Sequence, residues 1–186
     1  MRLCVLLAAL TLSSLQPALA ARSSGVCERE MAKASARHGV PVGILYSVGL
    51  TESGKAGALQ PYAMNIAGKT VFPKSLPEAL NVFAQSEARG VKLIDVGCMQ
   101  INHHYHGDQF RSLRAMFDPS LNVDYAARFL SRLHREHGSW SMAVARYHAG
   151  PDNDPAQKKY ICRVIGNLVA SGFGAWTPQA KAFCKP

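Results

Sequence analysis

The sequence predicts one mainly helical α+β domain, and three observations carry that expectation. Most of the chain divides into runs of helical apolar spacing, with capping residues before them and glycines after them. One stretch, from Gly54 to Lys74, drops that period for alternating apolar residues among Gly, Pro and Asn. The chain has 186 residues, enough for one domain with a real core and too few for two comfortable ones. No internal repeat, linker or low-complexity tract divides it.

The first twenty residues are read apart from that core. "MRLCVLLAALTLSSLQPALA" has Arg2 as a charged start, apolar residues from Leu3 to about Leu15, and Ala18-Leu19-Ala20 in the small-x-small pattern that signal peptidases cut after. The apolar stretch falls short of the roughly 20 residues that span a bilayer. The expectation is a cleaved export signal over 1–20, a single domain over 21–186, and a periplasmic or secreted product with no membrane span left after cleavage.

Export decides how the cysteines are read. Cys4 leaves with the signal, and Cys27, Cys98, Cys162 and Cys184 remain. Four cysteines in an oxidising compartment favour two disulfides. Three pairings are open; Cys27–Cys98 with Cys162–Cys184 is favoured, because the second bridge ties down a C-terminal end that otherwise frays. No C-x-x-C spacing supports a metal. The formal charge of +9 falls to +8 without Arg2, so the exported protein suits anionic polymers such as those of a cell wall. No Lys/Arg run with interleaved aromatics appears, which argues against nucleic acid.

The elements follow in order. "CEREMAKASARHG" reads as a helix stopped by Gly39. Pro41 suits the first position of a second helix, in which Val42, Leu45, Tyr46 and Gly49 recur at helical spacing and Ile44, Val48 and Leu50 fill the other faces. A helix apolar nearly all round is a buried one. A hairpin is expected in "PYAMNIAGKTVFP", turning near Ala67-Gly68. Ser75-Leu76-Pro77-Glu78 is a capping box for a helix running to about Ala88. "VKLIDVG" is a short strand, and "CMQINHHYHG" reads as a structured turn. The last third is helical: a stripe of Val123, Ala126, Phe129, Leu130 and Leu133, then a serine-capped "SWSMAVARYHAG", then "PAQKKYICRVIGNLVASG".

One residue stands out. Glu52 closes the apolar second helix, at the negative end of its dipole and beside apolar neighbours. Both effects favour its protonated form, which is what a general acid requires. Taken together, "GLTESG", "VGCMQIN" and "AVARYHAG", in this order and spacing, resemble the three motifs of the soluble lytic transglycosylases, a family with the lysozyme-like fold. The resemblance runs from about Cys27 to Gly150 and includes "YAMNIAGK" and "FDPSLNVDYAARFL". It looks most like the small secreted subgroup that serves wall-spanning secretion or motility machines. It implies peptidoglycan glycan strands as substrate, a secretion or flagellar assembly as partner, and no cofactor.

By that resemblance Glu52 is the acid and then the base. Ser53, Asn65, Met99, Gln100, Asn102, Tyr147 and His148 would bind substrate or orient the site, with the Tyr147 hydroxyl near Glu52. The family's third motif usually has Asn where this chain has His148, which leaves that contact open. Gln, Asn, Ser and Tyr are the donor–acceptor side chains a glycan groove needs. Most glycosidases need two carboxylates; the nearest second one is Asp95, expected to support its turn. A substrate-assisted route, ending in a 1,6-anhydromuramoyl product, removes that need. Two rivals stay open: a hydrolytic lysozyme, and a non-catalytic wall-binding assembly protein. His103, His104 and His106 invite a zinc site, but no H-E-x-x-H helix frames them.

Overall fold

A computed structural model describes residues 25–150 and 154–185. The expected signal over 1–20, with Cys4, lies outside the described residues. No helix among them is long and apolar enough to cross a membrane.

Helix α1 (Val26–His38) ends at Gly39, which takes the left-handed conformation at φ 67° and donates its N–H to Ser35 O. Helix α2 (Val42–Ser53) starts one residue later than predicted, with Pro41 as its cap rather than its first residue. Leu45 and Val48 are fully buried; each such side chain stabilises the fold by roughly 1.5–3 kcal/mol. Two short strands, β1 (Gly54–Lys55) and β2 (Ala58–Leu59), then pair as a ribbon.

The second sheet carries the polar surface. Strands β3 (Met64–Ile66), β4 (Lys69–Val71), β5 (Ile94–Val96) and β6 (Ile101–Asn102) lie in the order β4-β3-β5-β6, antiparallel throughout. The β3–β4 hairpin turns at Ala67-Gly68, as expected, both at positive φ. Its register sets Val71, Met64, Val96 and Ile101 in one row and Thr70, Asn65, Asp95 and Asn102 in the next. Side chains alternate across a strand. Met64, Val96 and Ile101 are buried, so the polar row lies on the other face.

Between β4 and β5 runs α3 (Leu76–Ala88). Ser75 Oγ accepts from Glu78 N at 3.4 Å, and the Glu78 carboxylate accepts from Lys74 N rather than from the cap residue itself. The segment read as a turn after Cys98 holds more structure: β6, then α4 (His103–His106), which Asn102 caps by accepting from His104 N and Tyr105 N. Helix α5 (Leu113–Phe117) precedes α6 (Pro119–His137), which Asp118 caps and Gly138 ends. Then come α7 (Trp140–Ala149), α8 (Asp154–Ala170) and α9 (Pro178–Cys184). Helix α1 packs on α6, α2 on α8, and α7 on both α6 and α8. The favoured disulfides are the ones present, Cys27–Cys98 and Cys162–Cys184.

Candidate active site

Glu52 lies in the last turn of α2, where helix, sheet and α8 meet, with its side chain 15% exposed. Three serines and threonines tighten the helix behind it: Ser47 Oγ donates to Gly43 O, Thr51 Oγ1 to Ser47 O, and Ser53 Oγ to Gly49 O. Gly54 must follow, since a Cβ there would stand 2.4 Å from Leu50 O.

Helix α8 fixes this helix end from the side. Tyr160 Oη donates to Glu52 Oε1 at 2.5 Å. Arg163 donates to Thr51 O at 3.0 Å, and Asn167 Nδ2 to Thr51 Oγ1 at 2.8 Å. Residues 160, 163 and 167 share one helical face. The helix end is therefore not bare, as its sequence suggested: a guanidinium meets one of its last carbonyls and a hydroxyl meets the carboxylate. His148, at the end of α7, brings Nδ1 to 3.6 Å from the same Oε1. Its ring stacks on Tyr160 with centroids 4.0 Å apart and planes 2° apart. No described residue donates to Oε2.

Across from Glu52 stands the polar row of the sheet. Asn102 Nδ2 donates to Asp95 Oδ1 at 2.6 Å. Burial raises the proton affinity of Asp95; the Asn102 bond opposes this, the charge of Glu52 adds to it, and His148 opposes it. Asp95 therefore lies within the field of the two groups at the α2 end. Asn65 is its register partner, with Oδ1 accepting from Gly68 N in the hairpin turn.

The loop 97–100 joins the two walls. Asn122, fully buried on α6, donates to Val96 O and Met116 O and accepts from Met99 N at 2.9 Å. Gly97, at φ 83°, has no room for a Cβ against that side chain. Gln100 takes φ 47°, a strained value for a residue with a Cβ. Its Nε2 donates to Ala63 O and Gly97 O, and its buried Oε1 has no partner.

The structure thus brings His148 to Glu52 and sets Asn65 and Asn102 beside Asp95 within the field of that pair, while Gln100 is buried in the loop and others take a different job. Ser53 is 1% exposed, and its hydroxyl donates to Cys98 O at 2.7 Å, joining α2 to the loop instead of meeting substrate. Met99 is fully buried and packs as core. Tyr147 donates to Met99 O at 2.7 Å, while the hydroxyl on Glu52 is that of Tyr160. Burial, with the charge of Glu52 next, pushes both tyrosines well above the ordinary phenol range, so both stay donors. The three histidines of "HHYHG" diverge: His103 meets Phe83, His104 meets Tyr105, and His106 Nδ1 lies 2.9 Å from Tyr125 Oη.

Tyr160, Arg163 and Asn167 were missed in the sequence because Tyr160 reads as part of an apolar stripe with Val164 and Leu168. The available signal was polar atoms at i, i+3 and i+7 on an otherwise core-facing side. Asn122 had a similar mark, an amide four residues before Ala126 at the spacing of the apolar stripe.

The family model described as the transglycosylase SLT domain matches residues 30–162. No curated protein and no solved structure matches the chain at the significance required.

Proposed function

From the transglycosylase SLT domain family, to which the chain belongs, we propose that the protein is exported and that Glu52 cleaves the β-1,4 bond between N-acetylmuramic acid and N-acetylglucosamine in peptidoglycan. Family membership supports lytic transglycosylase-type action on peptidoglycan. The observation that carries the finer reading is the treatment of the two carboxyl oxygens. Oε1 is held by Tyr160 and flanked by His148, and Oε2 is left to carry a proton to substrate.

In this reading the Glu52 proton passes to the glycosidic oxygen as the C1–O4 bond breaks. The acetamido carbonyl oxygen of the same muramic acid bonds to C1 and holds the charge as an oxazolinium. The Glu52 carboxylate then takes the proton of the C6 hydroxyl, O6 bonds to C1, and the oxazolinium C1–O bond opens. Glu52 ends protonated, acid and then base in one cycle, and no water is consumed. The amides of Asn65 and Asn102, on the polar row of the sheet, offer acceptors and donors to the sugar. Asp95 favours one second reading, hydrolysis, because its carboxyl lies within the field of Glu52 as the two-carboxylate mechanisms require.

Glu52→Gln tests the assignment. The amide oxygen still accepts from Tyr160, so folding and wall binding are retained while turnover falls by about a thousandfold or more, a loss in line with an essential acid. Mass spectrometry of a wall digest separates the two readings, since the hydrolysed product is heavier than the anhydro product by one water. Clearing of peptidoglycan by the Gln variant at the wild-type rate refutes the role of Glu52.

A further inference from the structure

We propose that the segment from Ser171 to Lys185 is a lipid-facing surface, whose exposed aromatic rings and lysines dock on a bilayer with anionic headgroups. This surface is separate from the chemistry at Glu52.

The segment lies beyond the residues that the family model matches, which end at 162, and it is held unlike the rest of the chain. Helix α9 has seven residues and none of them is buried. It packs on α8, to which Cys184 bonds it through Cys162. A helix this short is unstable by itself, and without a buried face it gains little from packing. The crosslink therefore fixes a surface in place instead of completing a core.

That surface is apolar. Seven large hydrophobic side chains are exposed among the described residues, and Phe173, Trp176 and Phe183, at 48, 37 and 46% exposure, are three of them. A fourth, Val42, adjoins Gly43, where a Cβ would stand 2.8 Å from the Phe173 Cβ. Single exposed apolar residues are ordinary, whereas a concentration of them marks an interaction site.

Charge selects the partner. From Pro155 to Pro186 the sequence has five Lys or Arg residues and no Asp or Glu. Lys158 lies over the Phe183 ring, with Nζ 5.8 Å from its centroid, and donates to Lys185 O at 3.3 Å. Cation and ring thus share one spot. Lysine is depleted in protein–protein interfaces, whereas Phe and Trp mixed with Lys make up surfaces that lie among lipid headgroups. Rings set apart along a short segment need no shape-matched pockets there. Each enters between headgroups while the lysines stay with the phosphates.

Docking leaves the candidate active site free. On α8, Tyr160, Arg163 and Asn167 meet the end of α2, while Lys158 and Cys162 meet Phe183 and Cys184. With about 3.6 residues per turn, the two sets lie on roughly opposite sides of the helix, so Glu52 is turned away from the lipid.

The test measures binding of the full chain to sedimented vesicles, either phosphatidylcholine alone or an equimolar mixture with phosphatidylglycerol. Trp176→Ser/Phe183→Ser removes rings, and Lys181→Glu/Lys185→Glu reverses charge. Residues 1–20 are the same in all three proteins, so their contribution cancels. Wild type is expected to bind the mixed vesicles about tenfold more tightly than the neutral ones, and less tightly as salt rises. Each double variant loses about tenfold on the mixed vesicles, while turnover of soluble glycan is unchanged. Equal binding of wild type and the ring variant to the mixed vesicles overturns the proposal. Binding of wild type to sedimented peptidoglycan in place of vesicles, lost in the same variants, assigns the surface to the wall and overturns it as well. Should the ring variant fail to fold, the lysine variant, altered only at exposed positions, decides by the same criterion.

Discussion

The two walls of the site are built by different means. On the helical wall, one carboxyl is held by partners far away in the chain, with Tyr160 and Asn167 lying 108 and 116 residues from the groups they meet. On the sheet wall, the polar row of Asn65, Asp95 and Asn102 follows from alternation and register, and each of these residues is bonded within a few residues or across one strand. The carboxyl proposed to move a proton is immobilised by long-range packing. The groups proposed to meet a sugar are spaced by a repeating pattern, which suits an extended ligand with a repeat of its own.

The loop between the walls is the point at which both fail together. Asn122→Ala leaves Met99 N–H and the carbonyls of Val96 and Met116 unbonded in the core. Each orphaned group costs about 1–3 kcal/mol, so urea unfolding is expected to show a loss of about 3 kcal/mol. Gln100 and the Ser53–Cys98 link lose their support at the same time, and activity falls with stability. An unchanged midpoint in urea would mean that the loop does not depend on α6.

A smaller change separates the walls. Tyr160→Phe keeps the core ring and its stack on His148 but removes the only described hydrogen bond to Glu52 Oε1. The carboxyl then samples other rotamers, and the expected result is a roughly tenfold lower kcat with little change in KM, about 1.4 kcal/mol in the barrier. Equal loss from Tyr147→Phe, whose hydroxyl meets Met99 O instead, would show that the hydroxyl on the acid has no special part.

What could be read from the sequence follows the same division. The order of the helices, the glycine stops at 39 and 138, the hairpin turn at Ala67-Gly68 and the position of Glu52 are written in local period and capping chemistry. The polar row is half legible, because β5 and the hairpin are recognisable while their register is not. β6 and α4 were hidden because Asn102 is at once a strand residue and a helix cap, so "CMQINHHYHG" follows neither period. The α8 contacts were illegible for a different reason: Tyr160 is apolar enough to be counted as core, and it is core, with only its hydroxyl at the site. Ser53 and Met99 are expected on the substrate side because motif adjacency does not tell which way a side chain points, on a helix end or in a loop.

The subtlest prediction tests the sheet wall against its own stability. Burial raises the proton affinity of Asp95 above the ordinary value of 3.8, with Glu52 adding to the effect. A carboxyl that binds its proton more tightly in the folded than in the unfolded chain makes the fold lose stability as pH rises from near 3.8 through the raised value. At neutral pH the ionised Asp95 is therefore a destabilising group. Asp95→Asn keeps an oxygen for Asn102 to donate to and removes the charge, so Tm at pH 7 is expected to rise by about 2–4 °C, with the gain vanishing as pH falls towards 3.8. Turnover then decides what that charge is kept for. If the Asn variant is more stable and still forms anhydro product, the single-carboxyl route through Glu52 is sufficient. If it is more stable but inert, Asp95 takes part in the chemistry, and the instability is the consequence of holding a second carboxylate where two-carboxylate hydrolysis needs one.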